Sequence, residues 1–170
     1  MEKKNIAFIG MMGCGKTTVG KELSRFLPEY SFVDIDEEIE KSTGKKISEI
    51  FLRYGEHHFR MLESEKIKRV CEKQNQIISL GGGAFENPQT RELLGKTTLT
   101  IYLKAAPQAI YNRIKEEIHR PLLRKNFSVE KITEILNRRK INYEKAAKII
   151  DTNGKTPDNI VKEILGVIND

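Results

Sequence analysis

Short apolar runs alternate along this chain with longer stretches whose hydrophobic positions recur every three or four residues. Residues 5–9, 31–35, 76–80, 97–103 and 148–151 have the length and apolar character of strands. Strands buried on both faces read as nearly unbroken hydrophobic runs, and the amphipathic stretches between them supply the crossovers that parallel pairing requires. The pattern therefore predicts a five-stranded parallel sheet with helices on both faces, a three-layer α/β/α sandwich. Breakers fall where such a chain must turn. Pro28 closes a helix-like stretch over 19–27, Gly44 ends the segment 37–43, Pro88 and Pro107 each open a helix, and a long helix is predicted over 129–147. No repeat or linker divides the 170 residues, so one domain over 1–170 is expected. In an open parallel sheet ligands collect at the carboxyl ends of the strands, which is where the residues with chemistry fall.

Composition narrows the picture only a little. Thirty basic and 24 acidic residues leave a net charge of +6, which suits nucleic acid, a polyanionic nucleotide or an acidic small molecule alike. The thinly spread aromatics lack the aromatic and basic interleaving of an RNA-binding sheet, and no nucleic-acid partner is expected. No signal peptide and no apolar span of about 18 residues is found, so a cytoplasmic protein without a membrane partner is expected. Cys14 and Cys71 lack metal-site spacing and read as reduced thiols. His57 and His58 are adjacent, which a helix would not aim at one metal ion, and they read as surface or packing residues.

The most specific signal is Gly10-Met11-Met12-Gly13-Cys14-Gly15-Lys16-Thr17, placed between a strand and a helix. This is a P-loop: successive backbone N–H groups turn inward around a phosphate chain, Lys16 reaches the terminal phosphates, and the Thr17 hydroxyl is placed to ligate Mg²⁺. Phosphoryl transfer follows as the expected chemistry. Such transfer to a hydroxyl needs an acid near the metal and a group that orients or deprotonates the acceptor. Asp34 and Asp36, two apart at the end of the second run, can supply one of each if the chain there is extended.

Four further groups fit an anionic acceptor. Arg60 precedes Glu63 by three residues, and on a helix that carboxylate can steady a guanidinium that forks onto a carboxylate or phosphate. Gly81-Gly82-Gly83 follows the third run directly, and three glycines there suit a sharp bend or a close approach to a ligand. The charged, proline-interrupted stretch 112–125 reads as a lid able to bring Arg120 onto the γ-phosphate and exclude water. Arg139 belongs to the basic run Arg138-Arg139-Lys140, whose composition alone equally fits a solvated helix face. Residues and spacing thus lead to a P-loop kinase for a small anionic acceptor.

With these residues in view, the chain resembles the shikimate kinase family over nearly its whole length. The resemblance rests on the P-loop, Asp34-x-Asp36, Phe51-x-x-x-Gly55-Glu56-x-x-Phe59-Arg60, the glycine triplet, Arg120-Pro121-Leu122-Leu123, and Arg139 four residues before Tyr143. It implies a fold similar to nucleoside monophosphate kinases, with sheet order 2-3-1-4-5, a mobile lid over about 113–127 and an acceptor-binding region over about 34–63. It also implies transfer of the γ-phosphoryl of MgATP to the 3-hydroxyl of shikimate, on the way to chorismate and the aromatic amino acids. On that basis Asp36, Lys16 and Arg120 are catalytic, and Gly13, Cys14, Gly15, Lys16, Thr17, Thr18, Arg113, Arg120 and Pro157 bind ATP. Asp36, Arg60, Gly82, Gly83 and Arg139 bind shikimate, and Thr17 with Asp34, the latter through water, holds Mg²⁺. A monomer is expected. The family often has Ala or Ser where Cys14 stands and Pro where Ile141 stands, and 115–119 lacks the glycines of some members. A gluconate or nucleoside monophosphate kinase is the enzyme alternative, and a catalytically silent nucleotide-binding module should have lost Lys16, Asp36 or Arg120.

Overall fold

The computed structural model describes residues 5–116 and 128–170. Among these, β1 (Asn5–Ile9), β2 (Ser31–Asp34), β3 (Gln76–Ser79), β4 (Thr98–Lys104) and β5 (Lys148–Asp151) form one sheet in the order β2-β3-β1-β4-β5. Every pairing is parallel, with Ala7 beside Ile78 on one flank and Thr100 on the other. The central strand is buried along its whole length, as a strand covered on both faces must be. Its alternation divides the core. Ile6 and Phe8 pack with Leu23, Ile101, Ile160 and Ile164 on one side, while Ala7 and Ile9 pack with Ile67, Ile78, Tyr102 and Tyr143 on the other.

The helices are α1 (Lys16–Phe26), α2 (Ile35–Thr43), α3 (Ile47–Cys71), α4 (Pro88–Thr97), α5 (Pro107–Ile114), α6 (Val129–Tyr143) and α7 (Pro157–Asn169). The starts of α2, α4, α6 and α7 carry side-chain caps, and those of α1, α3 and α5 do not. Asn87, Ser128 and Thr156 accept main-chain N–H bonds at 2.9, 3.0 and 3.2 Å, and Pro88, Pro107 and Pro157 occupy first turns. Gly44 ends α2 with φ 67°, and Gly55 breaks α3 with φ 84° and ψ 170°, which gives the second half of that helix its own direction.

Some boundaries differ from the periodicity. The first helix starts inside the glycine motif at Lys16 rather than at 19, because Gly15 itself is the cap residue. The second strand stops at Asp34, whose side chain accepts from the Glu37 amide at 3.1 Å and starts α2 at Ile35. Asp36 consequently lies in the first turn of a helix and not, as the period-two reading required, on extended chain. The helix predicted over 129–147 ends at Tyr143, where Ala146 turns back onto the Tyr143 carbonyl and the Ala147 amide donates to Thr100. The stretch read as a lid begins as the last turn of α5, and residues 117–127, including Arg120, lie outside the described residues.

Phe8 is wholly buried at the centre of the larger core cluster, so Phe8→Ala should lower the unfolding free energy by about 3–5 kcal/mol in urea titration. Ile141→Ala, at a site 69% exposed, should stay within about 0.5 kcal/mol of the parent.

Candidate active site

At the carboxyl ends of β1, β2 and β3 lies a cleft of about 1060 Å³, bordered by the P-loop on one side and by α2, α3 and the glycine triplet on the other. The loop between β1 and α1 bends through Gly10, Gly13 and Gly15 at φ 146°, 76° and 101°, a path that only glycine follows without strain. It delivers the N-terminus of α1, with its unpaired N–H groups, to the cleft. Lys16 is buried, and its Nζ donates to the carbonyls of Gly10 and Met11 at 2.6 and 3.0 Å, so the ammonium is held within the curl of the loop.

Beyond Lys16, the Thr17 hydroxyl donates to Asp34 Oδ2 at 2.8 Å and lies 3.5 Å from the Ser79 hydroxyl. Sheet register makes this cluster, because Asp34 and Ser79 are partners across β2 and β3. The set consists of hard oxygen donors with one carboxylate, which suits an Mg²⁺ ion that takes its other ligands from phosphates and water. No cluster of three or more His, Cys, Asp or Glu side chains suited to a metal occurs among the described residues. Asp34 has a second engagement, since its other oxygen caps α2 and thereby sets the helix turn that carries Asp36.

The glycine triplet explains how the receptor side is assembled. None of the three has positive φ; what they need is closeness. A Cβ at Gly81 would sit 2.7 Å from Glu63 Oε2 and 3.3 Å from Asp36 Oδ1, one at Gly82 would sit 3.1 Å from Arg139 Nη1, and one at Gly83 would sit 2.8 Å from Arg60 Cζ. Bare backbone thus touches both carboxylates and both guanidiniums. Arg60 donates to Glu63 Oε1 at 2.9 Å and lies 3.4 Å from Glu56, while Glu63 Oε2 is buried with no hydrogen-bond partner among the described residues. Burial pushes the Glu63 carboxyl up to about 7; Arg60 and, more weakly, Arg139 pull it down, while the charge of Asp36 adds to the rise. Burial also opposes the charge on Arg60, but Glu63 and Glu56 outweigh it and leave that guanidinium more basic than usual.

Gly13, Gly15, Lys16, Thr17, Thr18, Asp34, Asp36, Arg60, Gly82, Gly83 and Arg113 all line the cleft. Arg139 is buried behind it, at 8% exposure, against Gly82 and 4.0 Å from Met11 Sδ, so the basic run around it is not a uniformly solvated face. Arg113 donates to the Gly13 carbonyl at 3.1 Å. Pro157 and Cys14 are not among the cleft-lining residues. Pro157 begins α7 behind a loop tied to the start of α5 by the bond from the Ala106 amide to Asn153. The Cys14 side chain turns into the core, and its amide donates to the Met11 carbonyl at 3.1 Å. Sequence reasoning missed Ser79, for which only strand register gives a signal, and named Tyr143 only by its spacing from Arg139, without its contact: the hydroxyl donates to the Gly82 carbonyl at 2.5 Å.

A 2-3-1-4-5 parallel sheet with a P-loop after its central strand, and a hydroxyl–carboxylate pair beside that loop, defines a P-loop phosphotransferase. The chain belongs to the shikimate kinase family, whose model matches residues 12–169. It is 43% identical over 162 residues to the shikimate kinase of Thermodesulfovibrio yellowstonii, covering 95% of this chain and 93% of that protein. The shikimate kinase of Persephonella marina is 42% identical over 165 residues, covering 97% and 99%. The solved structure of shikimate kinase from Acinetobacter baumannii in complex with shikimate matches with a TM-score of 0.93 at 32% identity, covering 98% of this chain and 93% of that one.

Because the native fold holds the Glu63 proton more tightly than an unfolded chain does, ionising this group weakens the fold. The unfolding free energy of the parent relative to Glu63→Gln should be greatest below about pH 4.5, fall as pH rises to about 7, and level off above it. Urea unfolding of both proteins across that range measures the difference, and a gap that does not change with pH would contradict the assignment.

Proposed function

We propose that this chain transfers the γ-phosphoryl group of ATP to the 3-hydroxyl of shikimate, giving shikimate 3-phosphate and ADP on the way to chorismate and the aromatic amino acids. The observation that carries the reading is the convergence of Asp36, Arg60 and Arg139 on the bare backbone at 81–83, directly beside the P-loop. Two guanidiniums and a carboxylate suit a ligand that is at once an anion and a polyol. Membership of the shikimate kinase family selects shikimate from the acids that fit this description.

In this reading the chain is one domain, with its acceptor region at about 34–63 and its lid at about 113–127. Gly13, Cys14, Gly15, Lys16, Thr17 and Thr18 bind the phosphate chain of ATP, and Arg113 and Pro157 flank its base. Arg60 and Arg139 hold the shikimate carboxylate, with Gly82 and Gly83 adding main-chain donors. Asp36 orients the 3-hydroxyl and accepts its proton as the oxygen attacks the γ-phosphorus and the bond to the β–γ bridging oxygen breaks. Lys16 and Arg120 neutralise charge that gathers on the transferring group. Thr17 and Asp34, the latter through water, would hold Mg²⁺, which would supply positive charge to offset that of the phosphates. The protein acts as a cytoplasmic monomer without nucleic-acid or membrane partners; no helix among the described residues is long and apolar enough to cross a membrane.

A coupled ADP-release assay over shikimate, gluconate and nucleoside monophosphates tests the whole reading, with shikimate expected to be strongly preferred. Failure to form 3-phosphorylated shikimate from MgATP would overturn it. Asp36→Asn should retain nucleotide binding while turnover falls by about 10²–10⁴. Arg60→Ala should raise the KM for shikimate by about 10–100-fold and leave that for ATP within about twofold. Equal changes in both constants would remove Arg60 from the acceptor site.

A further inference from the structure

Tyr143 closes α6 one turn beyond Arg139, is fully buried, and has no part in the chemistry described above. Its ring stacks on Tyr102 with centroids 5.0 Å apart and planes 27° from parallel, which fixes where the hydroxyl sits. That hydroxyl donates to the Gly82 carbonyl at 2.5 Å. In a trans peptide the carbonyl and the following N–H point in opposite directions. Drawing the Gly82 carbonyl toward Tyr143 therefore turns the Gly83 N–H away from the core and toward the cleft that the triplet lines. Among the described residues, no backbone carbonyl accepts from the Gly82 or Gly83 amide, so both donors are left for a ligand. A glycine peptide with no side chain to anchor it needs such a tether, since its backbone otherwise samples many orientations.

Resting on the proposed phosphorylation of shikimate, we propose that Tyr143 is a positioning residue for the acceptor: it fixes the Gly82–Gly83 peptide so that its N–H and the Arg60 and Arg139 guanidiniums present one rigid set of donors to the acceptor's oxygens. Burial, chiefly, raises the phenol well above the usual tyrosine range, with the charge of Arg139 opposing, so the hydroxyl stays a donor at every working pH. Tyr102 shares the stack but bonds to no part of the triplet, which makes it the natural control.

Tyr143→Phe removes one oxygen and keeps the ring stack. Steady-state kinetics should show a KM for shikimate raised about tenfold, the worth of one neutral hydrogen bond, with the KM for ATP within about twofold and the melting temperature nearly unchanged. Tyr102→Phe should match the parent in both constants. An unchanged shikimate KM in Tyr143→Phe, or equal rises for both substrates, would overturn the assignment while leaving the parent reading intact, provided the wild type phosphorylates shikimate. A wild type that does not phosphorylate shikimate overturns both. Should the variant fail to fold, the Gly83 amide resonance of ¹⁵N-labelled wild type decides the matter: it should move on addition of shikimate and not on addition of ADP, and a resonance that shikimate leaves in place overturns the proposal.

Discussion

Glu63 and Arg60 meet at 2.9 Å in a place where the carboxylate is only 2% exposed and one of its oxygens has no donor among the described residues. A buried ion pair of this kind brings little net stability, because desolvation takes back most of what attraction gives, but breaking it by removing one partner is costly. Its value lies in constraint. The guanidinium is held against the Gly83 backbone by Glu63 in the absence of any ligand, which limits the side-chain entropy left in it. Two cations and two carboxylates share the neighbourhood.

The architecture makes this cluster possible by ending three neighbouring strands at one level. The P-loop comes from β1, the Asp34 cap from β2, and Ser79 with the triplet from β3, so the sheet order alone places these groups side by side. The break at Gly55 frees the second half of α3 from the direction of the first and brings Arg60 and Glu63 over the triplet.

Much of this was legible in the sequence where the signal is local. The P-loop, the glycine stop at 44, the proline-led helices and the three-residue spacing of Arg60 and Glu63 each depend on neighbours within a turn or two, and each is found as read. Asp36 lines the cleft, but not from the extended chain that a period of two requires: the side-chain cap at Asp34 starts a helix one residue earlier. Ser79 and the contact of Tyr143 are hidden for a different reason. A serine at a strand end carries no local mark, the spacing of Tyr143 from Arg139 says nothing of what its hydroxyl meets, and their partners, Thr17 and Gly82, lie more than 60 residues away in the chain. Burial of Arg139 was likewise hidden in a basic run, because composition does not say which member of the run faces inward.

Asp34 has one oxygen on the Thr17 hydroxyl and the other on the amide of Glu37. One small, rigid side chain thereby gears the P-loop side of the cleft to the helix turn that carries Asp36. Exchanging the carboxylate would release the Thr17 hydroxyl and the first turn of α2 together, so neither contact can be altered alone at position 34.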